Sequence, residues 1–519
     1  MKNFHNFKYI YSYSIFFIFL LYLFLHTGIH GDDYALIQEL QYKVKLFDIS
    51  AENLSKYIYN IPSYFIWCLY AFIGYENLLL YDLLKYLLNL VSIIFFYLFF
   101  KDYFSNIRSI VISFIIVMYP IHDSSNYWLM ATPLYIFFPS MIFFAYTLIN
   151  KNFYILGSFV LLLASFNYTS PPFVLGLSVI FLLEKKFNKF LLFLLIGSIY
   201  VFFYYLISNF YPNLEHRVDD NLSFYMILIN FILQFITSLD VNVGLSFFVK
   251  IFYSISSIDI KIIIIIPILI HSFHIVFKKK IFELNNDSNK TKLNILISMT
   301  LIYFSSLGIF ALTSSYPQTA FNLGNRITIY STFLIVVLFS MLIKRNFIFL
   351  ILSLVLILSI IGVSNHWKEL NKKNINIINN INTNEKFSDL DKNDILLVKD
   401  NLYSKLGKIS HIEFLIIPWV SNKIFTKYAN FTVLPLSKYL YLNENFISNN
   451  KEGTKHIIKG NIYLYDTSKD LITMIDKKNL DTIIENEESI FRHWIQLNEF
   501  QILSKVIIKI YPRLNYLFI

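Results

Sequence analysis

Two adjacent aspartates stand immediately after the first long apolar stretch of the chain, residues 9–26. Apolar residues then recur at helical spacing over residues 36–44, so Asp32 and Asp33 precede a predicted amphipathic helix that lies on the membrane. A carboxylate beside a membrane can act as a general base on an acceptor hydroxyl. Aspartate also caps helix N-termini, but one suffices for that, and adjacent like charges disfavour each other. The residues alone leave both roles open.

A second group of polar residues occupies the segment YPIHDSSNYW, residues 119–128. His122 and Asp123 are the residue types that orient a substrate or supply a second acid. The alternative is an ordinary turn at the membrane interface, with Tyr127 and Trp128 as members of an aromatic belt. Taken alone, the segment favours the turn.

Arginines supply the candidates for phosphate binding. Arg326, in a Gly-Asn-Arg sequence before an apolar stretch, offers a planar fork that suits phosphate. The alternative is that its side chain reaches lipid headgroups. Arg217 lies in the polar cluster EHRVDD, which is typical of a solvated loop, although Arg217 or His216 could touch a lipid phosphate. Two adjacent aspartates do not make a cage for a divalent cation, so no metal site is predicted.

The elements that position these residues are membrane helices. Hydrophobic residues make up 56% of the chain and the mean hydropathy is +0.55, whereas soluble domains average about 45–50% apolar residues. The long apolar stretches predict about 11 to 13 spans of a bilayer. The net charge of +10 is what basic cytoplasmic loops produce, so it predicts no nucleic-acid partner. A single cysteine, Cys68, excludes an internal disulfide.

Short segments rich in Lys and Arg alternate along the chain with segments nearly free of both. This alternation predicts a multi-pass protein of the cell (inner) membrane with a cytoplasmic amino terminus. The alternation is self-consistent only if residues 58–75 lie in or near the outer membrane–water interface and do not cross the membrane. Residues 224–256, which contain Lys250, are compatible with a helical pair or with interfacial helices. The spans are otherwise almost free of ionisable residues, which favours chemistry at the outer face over an ion-coupled transporter.

The composition changes near residue 364. Residues 1–363 form a predicted transmembrane module, and residues 364–519 form a polar, Asn- and Lys-rich domain on the outer side. The predicted fold class is therefore mainly α, a polytopic transmembrane helix bundle followed by an extracytoplasmic domain of α/β type. In that domain, strand-like patterns occupy residues 395–398, 414–420 and 462–465, and a helix-like pattern occupies residues 470–480.

The order of these motifs resembles the GT-C superfamily of integral membrane glycosyltransferases. A first span is followed by GDDY at residues 31–34, and YDLLKYLLNL at residues 81–90 is similar to the family's aromatic-x-x-x-Asn-x-x stretch. Residues 119–128 resemble the His-Pro-x-His-x-Glu stretch of some members. An arginine opens a late span, and a soluble outer domain follows. The first loop departs from the pattern, because the basic-Pro pair of several members is reduced to Lys56 and Pro62 standing apart.

The resemblance implies an enzyme of the cell envelope that takes a sugar from a polyprenyl-phosphate carrier and passes it to a glycan, lipid or protein acceptor on the outer face of the bilayer. It implies that Asp32 or Asp33 activates the acceptor, that Asp123 matches the second acidic position, and that Arg326 binds the carrier phosphate. Lys56 is the substrate-binding candidate of the first loop. No cofactor follows from the resemblance, although some subfamilies use a divalent metal.

The implied reaction is an inverting single displacement at the anomeric carbon, in which the polyprenyl phosphate departs. Two rival functions belong to other classes. A polyprenyl-glycan polymerase or ligase resembles this chain in span count but relies on Arg-rich loops between late spans. A non-enzymatic lipid or solute transporter, or a scaffold, is favoured if Asp32 and Asp33 can be replaced without consequence.

Overall fold

The structure of the 519-residue chain is a computed structural model. The structure describes residues 14–43, 61–74, 77–210, 222–259, 289–313, 318–321, 323–399, 414–415, 418–425, 431–436, 440–443, 445–449 and 454–476, together with positions 262, 267–268, 270–271, 479, 482–483, 505–506 and 509. Two of the predicted site residues, Lys56 and Arg217, lie outside the described residues, as does most of the predicted span at residues 260–277.

Helices dominate the described part of the chain, as the long apolar stretches predict. In chain order they are α1 (Ser14–Phe24), α2 (Asp33–Lys43), α3 (Ile61–Ile73), α4 (Leu78–Phe100), α5 (Asn106–Met118), α6 (Ser124–Tyr127), α7 (Phe138–Asn150), α8 (Tyr154–Ser165), α9 (Pro171–Leu183), α10 (Phe187–Gly197), α11 (Ile199–Phe210), α12 (Phe224–Val243), α13 (Leu245–Ser256), α14 (Asn289–Thr313), α15 (Ile329–Leu342), α16 (Asn346–Thr383) and α17 (Pro418–Ile424).

Seven of the described helical segments are long and apolar enough to cross a membrane. The membrane prediction is therefore confirmed at this level. Five further apolar helices are shorter, among them α3, whose 13 residues extend about 20 Å. A hydrocarbon core is about 30 Å thick. The predicted 11 to 13 spans require most of these shorter helices to cross the membrane as well, so the number of spans stays a prediction. The orientation of the chain in the membrane also stays a prediction. The candidate spans are Leu78–Phe100, Pro133–Asn150, Phe187–Leu206, Phe224–Ser256, Lys292–Thr313, Leu323–Leu342 and Asn346–Thr383.

Aromatic rings fill the space between the helices. Phe143 of α7 stacks on Phe333 of α15 with ring centroids 5.1 Å apart, and Tyr146 stacks on Phe181 of α9 at 4.3 Å. Such pairs contribute about 0.5–1.5 kcal/mol beyond the area they bury. At the opposite extreme, Ile155 of α8 is 91% exposed, which suits a side chain that faces lipid tails as apolar as itself.

The ambiguous segment 224–256 consists of two helices, α12 and α13, that meet at Gly244. Asp240 makes the break, because its carboxylate accepts hydrogen bonds from the backbone N–H of Ser246 (3.2 Å) and from its hydroxyl (2.5 Å). It therefore caps the start of α13. A side chain at residue 244 would place its Cβ 2.6 Å from the Cα of Asp240, so the close approach requires glycine.

Arg108 ties α5 to the segment after α15. Its Nε donates to Asn346 Oδ1 at 2.8 Å and its Nη2 donates to the Lys344 carbonyl at 2.7 Å. It also donates to the Ser340 carbonyl, and its guanidinium lies 5.0 Å from the centre of the Phe349 ring. The sequence places Arg108 in a basic loop, but the structure buries it completely. Its guanidinium donates to carbonyls at the C-terminal end of α15, where a positive charge is favoured.

Replacing Arg108 is therefore expected to destabilise the protein. Arg108→Met removes the donor from two buried acceptors, the Ser340 carbonyl and the Asn346 side-chain oxygen, at a cost of about 1–3 kcal/mol for each. Arg108→Lys keeps the charge but loses the fork. We expect a clear drop in the thermal unfolding temperature in detergent for Met and a smaller one for Lys. Arg345→Met is the matched control because Arg345 is exposed. Equal unfolding temperatures for Arg108→Met and Arg345→Met would contradict this role.

The C-terminal region contains two small sheets in its described part. The first has the order β2-β1-β6-β7, in which β1 (Ile395–Lys399) pairs in parallel with β2 (Thr432–Pro435) and β6 (Ile462–Asp466), and β7 (Leu471–Ile475) is antiparallel to β6. The second sheet is an antiparallel meander. It contains β3 (Leu440–Asn443), β4 (Phe446–Asn449) and β5 (Thr454–Ile457). Helices and a mainly parallel sheet agree with the predicted α/β character of this region.

Two local predictions in this region are wrong. Residues 471–475 form a strand instead of a helix, because a turn at Asp470 (φ +50°) folds them back onto β6 and the Asp470 carboxylate accepts the Tyr465 hydroxyl at 2.9 Å. Residues 418–420 open a helix instead of continuing a strand. Pro418 stands in its first turn, where the fixed φ of proline is already helical. The strands predicted at residues 395–398 and 462–465 are confirmed.

The chain divides into two compact units, each described by itself. The first unit comprises Met1–Leu25 and Leu40–Asn365, and the second comprises His26–Glu39 and His366–Ile519. The change of composition near residue 364 thus falls inside the 38-residue helix α16, which contributes residues to both units. The segment that carries Asp32 and Asp33 belongs to the second unit, with the C-terminal region.

Candidate functional sites

The two aspartates after the first apolar helix have different environments. Asp33 is 1% exposed. Its Oδ2 accepts the backbone N–H of His30 at 3.0 Å, while its own N–H donates to the His30 carbonyl at 3.1 Å. This reciprocal pair resembles a capping box at the start of α2. Asp33 therefore has the contacts expected of a helix cap, one of the two roles that the sequence leaves open.

Asp32 is only partly buried, and its carboxylate faces a different neighbour. Oδ1 accepts a hydrogen bond of 2.7 Å from the indole Nε1 of Trp419, 387 residues further along the chain. Hydrogen bonds to an ionised acceptor are shorter and stronger than neutral ones. A carboxylate that accepts such a bond and is still partly exposed has the accessibility that a general base needs.

The loop that carries the aspartates is folded by close contacts with α16. Gly28 and Gly31 have positive φ values of +64° and +53°, which glycine adopts at little cost. Asn371 of α16 donates from Nδ2 to the His26 carbonyl at 3.0 Å. A Cβ at Gly28 would overlap the Asn371 side chain. The His30 ring packs edge-on against Trp367, with centroids 4.5 Å apart.

A separate polar cluster lies in the first unit and contains Asp123. Oδ1 of Asp123 is 3.1 Å from Nζ of Lys250 on α13, and both side chains are buried. Nδ2 of Asn325 donates to the same carboxylate oxygen, and the Ser124 hydroxyl bonds to Asn325. Lys250 also donates to the Ala320 carbonyl at 2.9 Å. The structure therefore joins residues 123–124, α13 and residues 320–325 through one buried ion pair.

His122 sits beside this cluster without joining the ion pair. It is fully buried, and its Nε2 lies 2.9 Å from the carbonyl of Ile116. Tyr127 and Trp128 are also buried, at 1% and 7% exposure. An aromatic belt at the membrane surface needs exposed rings, so the interfacial-turn interpretation of residues 119–128 does not fit the structure.

Arg326 follows Asn325 directly and stacks on aromatic rings. Its guanidinium carbon lies 4.9 Å from the centre of the Trp128 ring and 5.7 Å from that of Tyr135. Its Nη1 donates to the Leu323 carbonyl at 2.8 Å, and the residue is partly exposed. Stacking on aromatic faces suits a planar guanidinium and holds its fork in a fixed direction. The structure thus packs Arg326 against residues 125 and 128 of the segment that also carries Asp123.

Four ionisable residues lie inside candidate spans and were not anticipated as a group. Lys85 of α4 forms an ion pair of 3.1 Å with Asp82, and both are buried. Lys250 and Asp240 lie in the span Phe224–Ser256. Because α4 starts at residue 78, Asp82 belongs to the helix and not to the loop before it. Ionisable residues are therefore few in the candidate spans, but Asp82, Lys85 and Lys250 are buried there. A lone lysine in an apolar stretch was the available signal for Lys250.

The described residues include no group of three or more His, Cys, Asp or Glu side chains able to hold a metal ion. No protein family, no curated protein and no solved structure matches this chain. Any functional assignment therefore rests on the sequence motifs and on the geometry of the two clusters.

Proposed function

We propose that this membrane protein is a glycosyltransferase that moves a sugar from a polyprenyl-phosphate donor to an acceptor hydroxyl at the outer face of the membrane. The observation that carries the proposal is the contrast between two adjacent carboxylates. Asp33 is buried in a capping role, whereas Asp32 is partly exposed and accepts the indole N–H of Trp419. A cap needs only one aspartate, so capping does not account for the second, and Asp32 is our candidate for the base.

In the proposed reaction, Asp32 takes the proton of the acceptor hydroxyl while its oxygen attacks the anomeric carbon. The bond between that carbon and the phosphate oxygen breaks, and its electron pair leaves with the polyprenyl phosphate. For the carrier phosphate, the resemblance offers Arg326, whose planar guanidinium suits that ligand. The contacts of Asp123 with Lys250 and Asn325 support a positioning role for that residue, which holds the segment before Arg326.

The experiment follows donor consumption by the purified chain in lipid vesicles. Short-chain prenyl-phosphate sugars, each with a labelled sugar, are offered with a mixture of glycan, lipid and peptide acceptors. We expect release of prenyl phosphate with one of them. Arg326→Ala is expected to raise the donor KM by about tenfold or more, and Arg326→Lys by less, because Lys keeps the charge but loses the bidentate fork.

Arg345→Ala serves as the control for these variants, since Arg345 is an exposed arginine elsewhere in the same unit. If Arg326→Ala, Arg326→Lys and the unmodified chain have the same donor KM, the phosphate-binding role is wrong and Arg326 is a lipid anchor. If no prenyl-linked sugar is consumed under any condition, the glycosyltransferase proposal fails.

A second candidate, a lipid or solute transporter, is favoured by one observation. Buried Asp82 and Lys85 lie in a candidate span, and ionisable residues within spans commonly mark transport pathways. In the vesicle experiment a transporter would move labelled solute or lipid across the bilayer without breaking the sugar–phosphate bond. Substitution of Asp82 would then abolish movement, whereas Asp32→Asn would not.

A further inference from the structure

The side chain of Trp419 is placed unusually for a tryptophan. It lies in the first turn of α17, whose next residues, Val420 and Ser421, are fully buried, yet the indole is 53% exposed. Its N–H is not directed to solvent, because it donates to Asp32 Oδ1 at 2.7 Å. A large apolar ring face is therefore displayed beside the candidate base and fixed there by that hydrogen bond.

We propose that Trp419 forms a sugar-binding platform at Asp32, in which the indole N–H positions the carboxylate and the exposed ring face stacks on the sugar ring that is brought to it. The proposal rests on the proposed function and names the part of the site that recognises carbohydrate. The sugar belongs either to the donor or to the acceptor, and the experiment separates these sources.

The chemistry of the two partners favours this pairing. The face of an aromatic ring carries negative charge density, and the C–H bonds on one face of a sugar ring are weakly positive, so the two surfaces attract. The hydroxyls at the edge of a stacked sugar then lie next to the carboxylate that is bonded to the indole edge. A carboxylate accepts hydrogen bonds from hydroxyls and takes up their protons. The platform thus delivers a hydroxyl to Asp32.

The other use of an exposed tryptophan is as an anchor at the membrane interface, where the ring is buried in the lipid boundary and its N–H meets headgroups or water. In this chain the N–H is already donated to a carboxylate of the protein. The structure therefore favours carbohydrate over lipid as the partner of the ring.

The two functions of Trp419 are separated by two substitutions. Trp419→Phe keeps an aromatic face and removes the N–H donor, so we expect a lower kcat, little change in KM, and movement of the acidic limb of the rate–pH profile to higher pH by about one unit. Trp419→Leu removes the ring as well, so we expect the KM of the stacked sugar to rise by about tenfold. Tyr441→Leu is the control, because Tyr441 is 54% exposed in the same unit.

The donor concentration is varied at a saturating acceptor concentration, and then the reverse. The substrate whose KM rises in Trp419→Leu is the one whose sugar stacks on the indole ring. Binding is measured independently by probing an oligosaccharide array with the full chain in detergent. Binding that Trp419→Leu abolishes supports the platform even if the unmodified chain transfers no sugar, in which case only the proposed function fails. Transfer with both KM values unchanged in Trp419→Leu overturns the platform alone. Absence of both transfer and array binding overturns both.

Discussion

Asp32→Asn is expected to reduce sugar transfer by about 10²–10⁴-fold, the usual contribution of general acid–base catalysis. The variant should still fold and insert. The amide keeps the size of the side chain, and its oxygen can still accept the N–H of Trp419, which the carboxylate accepts at 2.7 Å. What the variant loses is the capacity to take up a proton. Transfer is measured with the prenyl-phosphate sugar that the unmodified chain consumes, and protein level is checked in the same membranes.

Asp33→Asn is the matched control, one residue away. Its Oδ2 accepts the N–H of His30 within a capping pair, and asparagine caps helices about as well as aspartate. Loss of the charge near the start of α2 costs only about 0.3–1 kcal/mol, so transfer is expected to stay near the level of the unmodified chain. If Asp33→Asn abolishes transfer and Asp32→Asn does not, the roles are reversed. If the double variant transfers sugar at the wild-type rate, the catalytic base does not lie in this loop.

Asp32 and Asp33 show which features of a site can be predicted from neighbouring residues in the sequence. The sequence predicts the pair, the helix that follows and both possible roles, because these depend on neighbours along the chain. The assignment of roles depends on Trp419 and on the burial of Asp33, and neither is visible locally. Residue 419 was itself assigned to a strand, since a short apolar run does not distinguish a strand from a buried helix.

The helix bundle was predictable for a different reason. A bilayer requires long apolar helices, so the composition and length of the apolar stretches are enough to predict them. The same features do not predict which polar side chains are buried between the helices. Asp82 and Lys85 pair within one turn of α4, but their burial is set by packing between helices, as are the partners of Arg108. The hairpin of β6 and β7 escaped prediction similarly, because its pairing is set by the turn at Asp470.

The buried ion pair of Asp123 and Lys250 is the second place where a large effect is expected. Removing one member of a buried pair typically costs about 3–5 kcal/mol, because the other charge is left without its partner. Lys250→Met leaves the Asp123 carboxylate with the amide of Asn325 as a neutral donor, and Asp123→Asn leaves a buried ammonium group. We expect both single variants to unfold at much lower temperature in detergent and to lose transfer.

The double variant Lys250→Met/Asp123→Asn removes both charges, and its stability is expected to exceed that of either single variant, since neutral replacement of a buried pair is often tolerated. This variant separates the two roles open to Asp123. If the ion pair only holds residues 320–325, and with them the loop before Arg326, transfer returns as stability returns. A double variant that is as stable as the unmodified chain yet inactive would instead show that the Asp123 carboxylate itself takes part in the reaction, as the resemblance to the GT-C pattern implies. The unfolding temperature and the transfer rate of the same preparations decide between these outcomes.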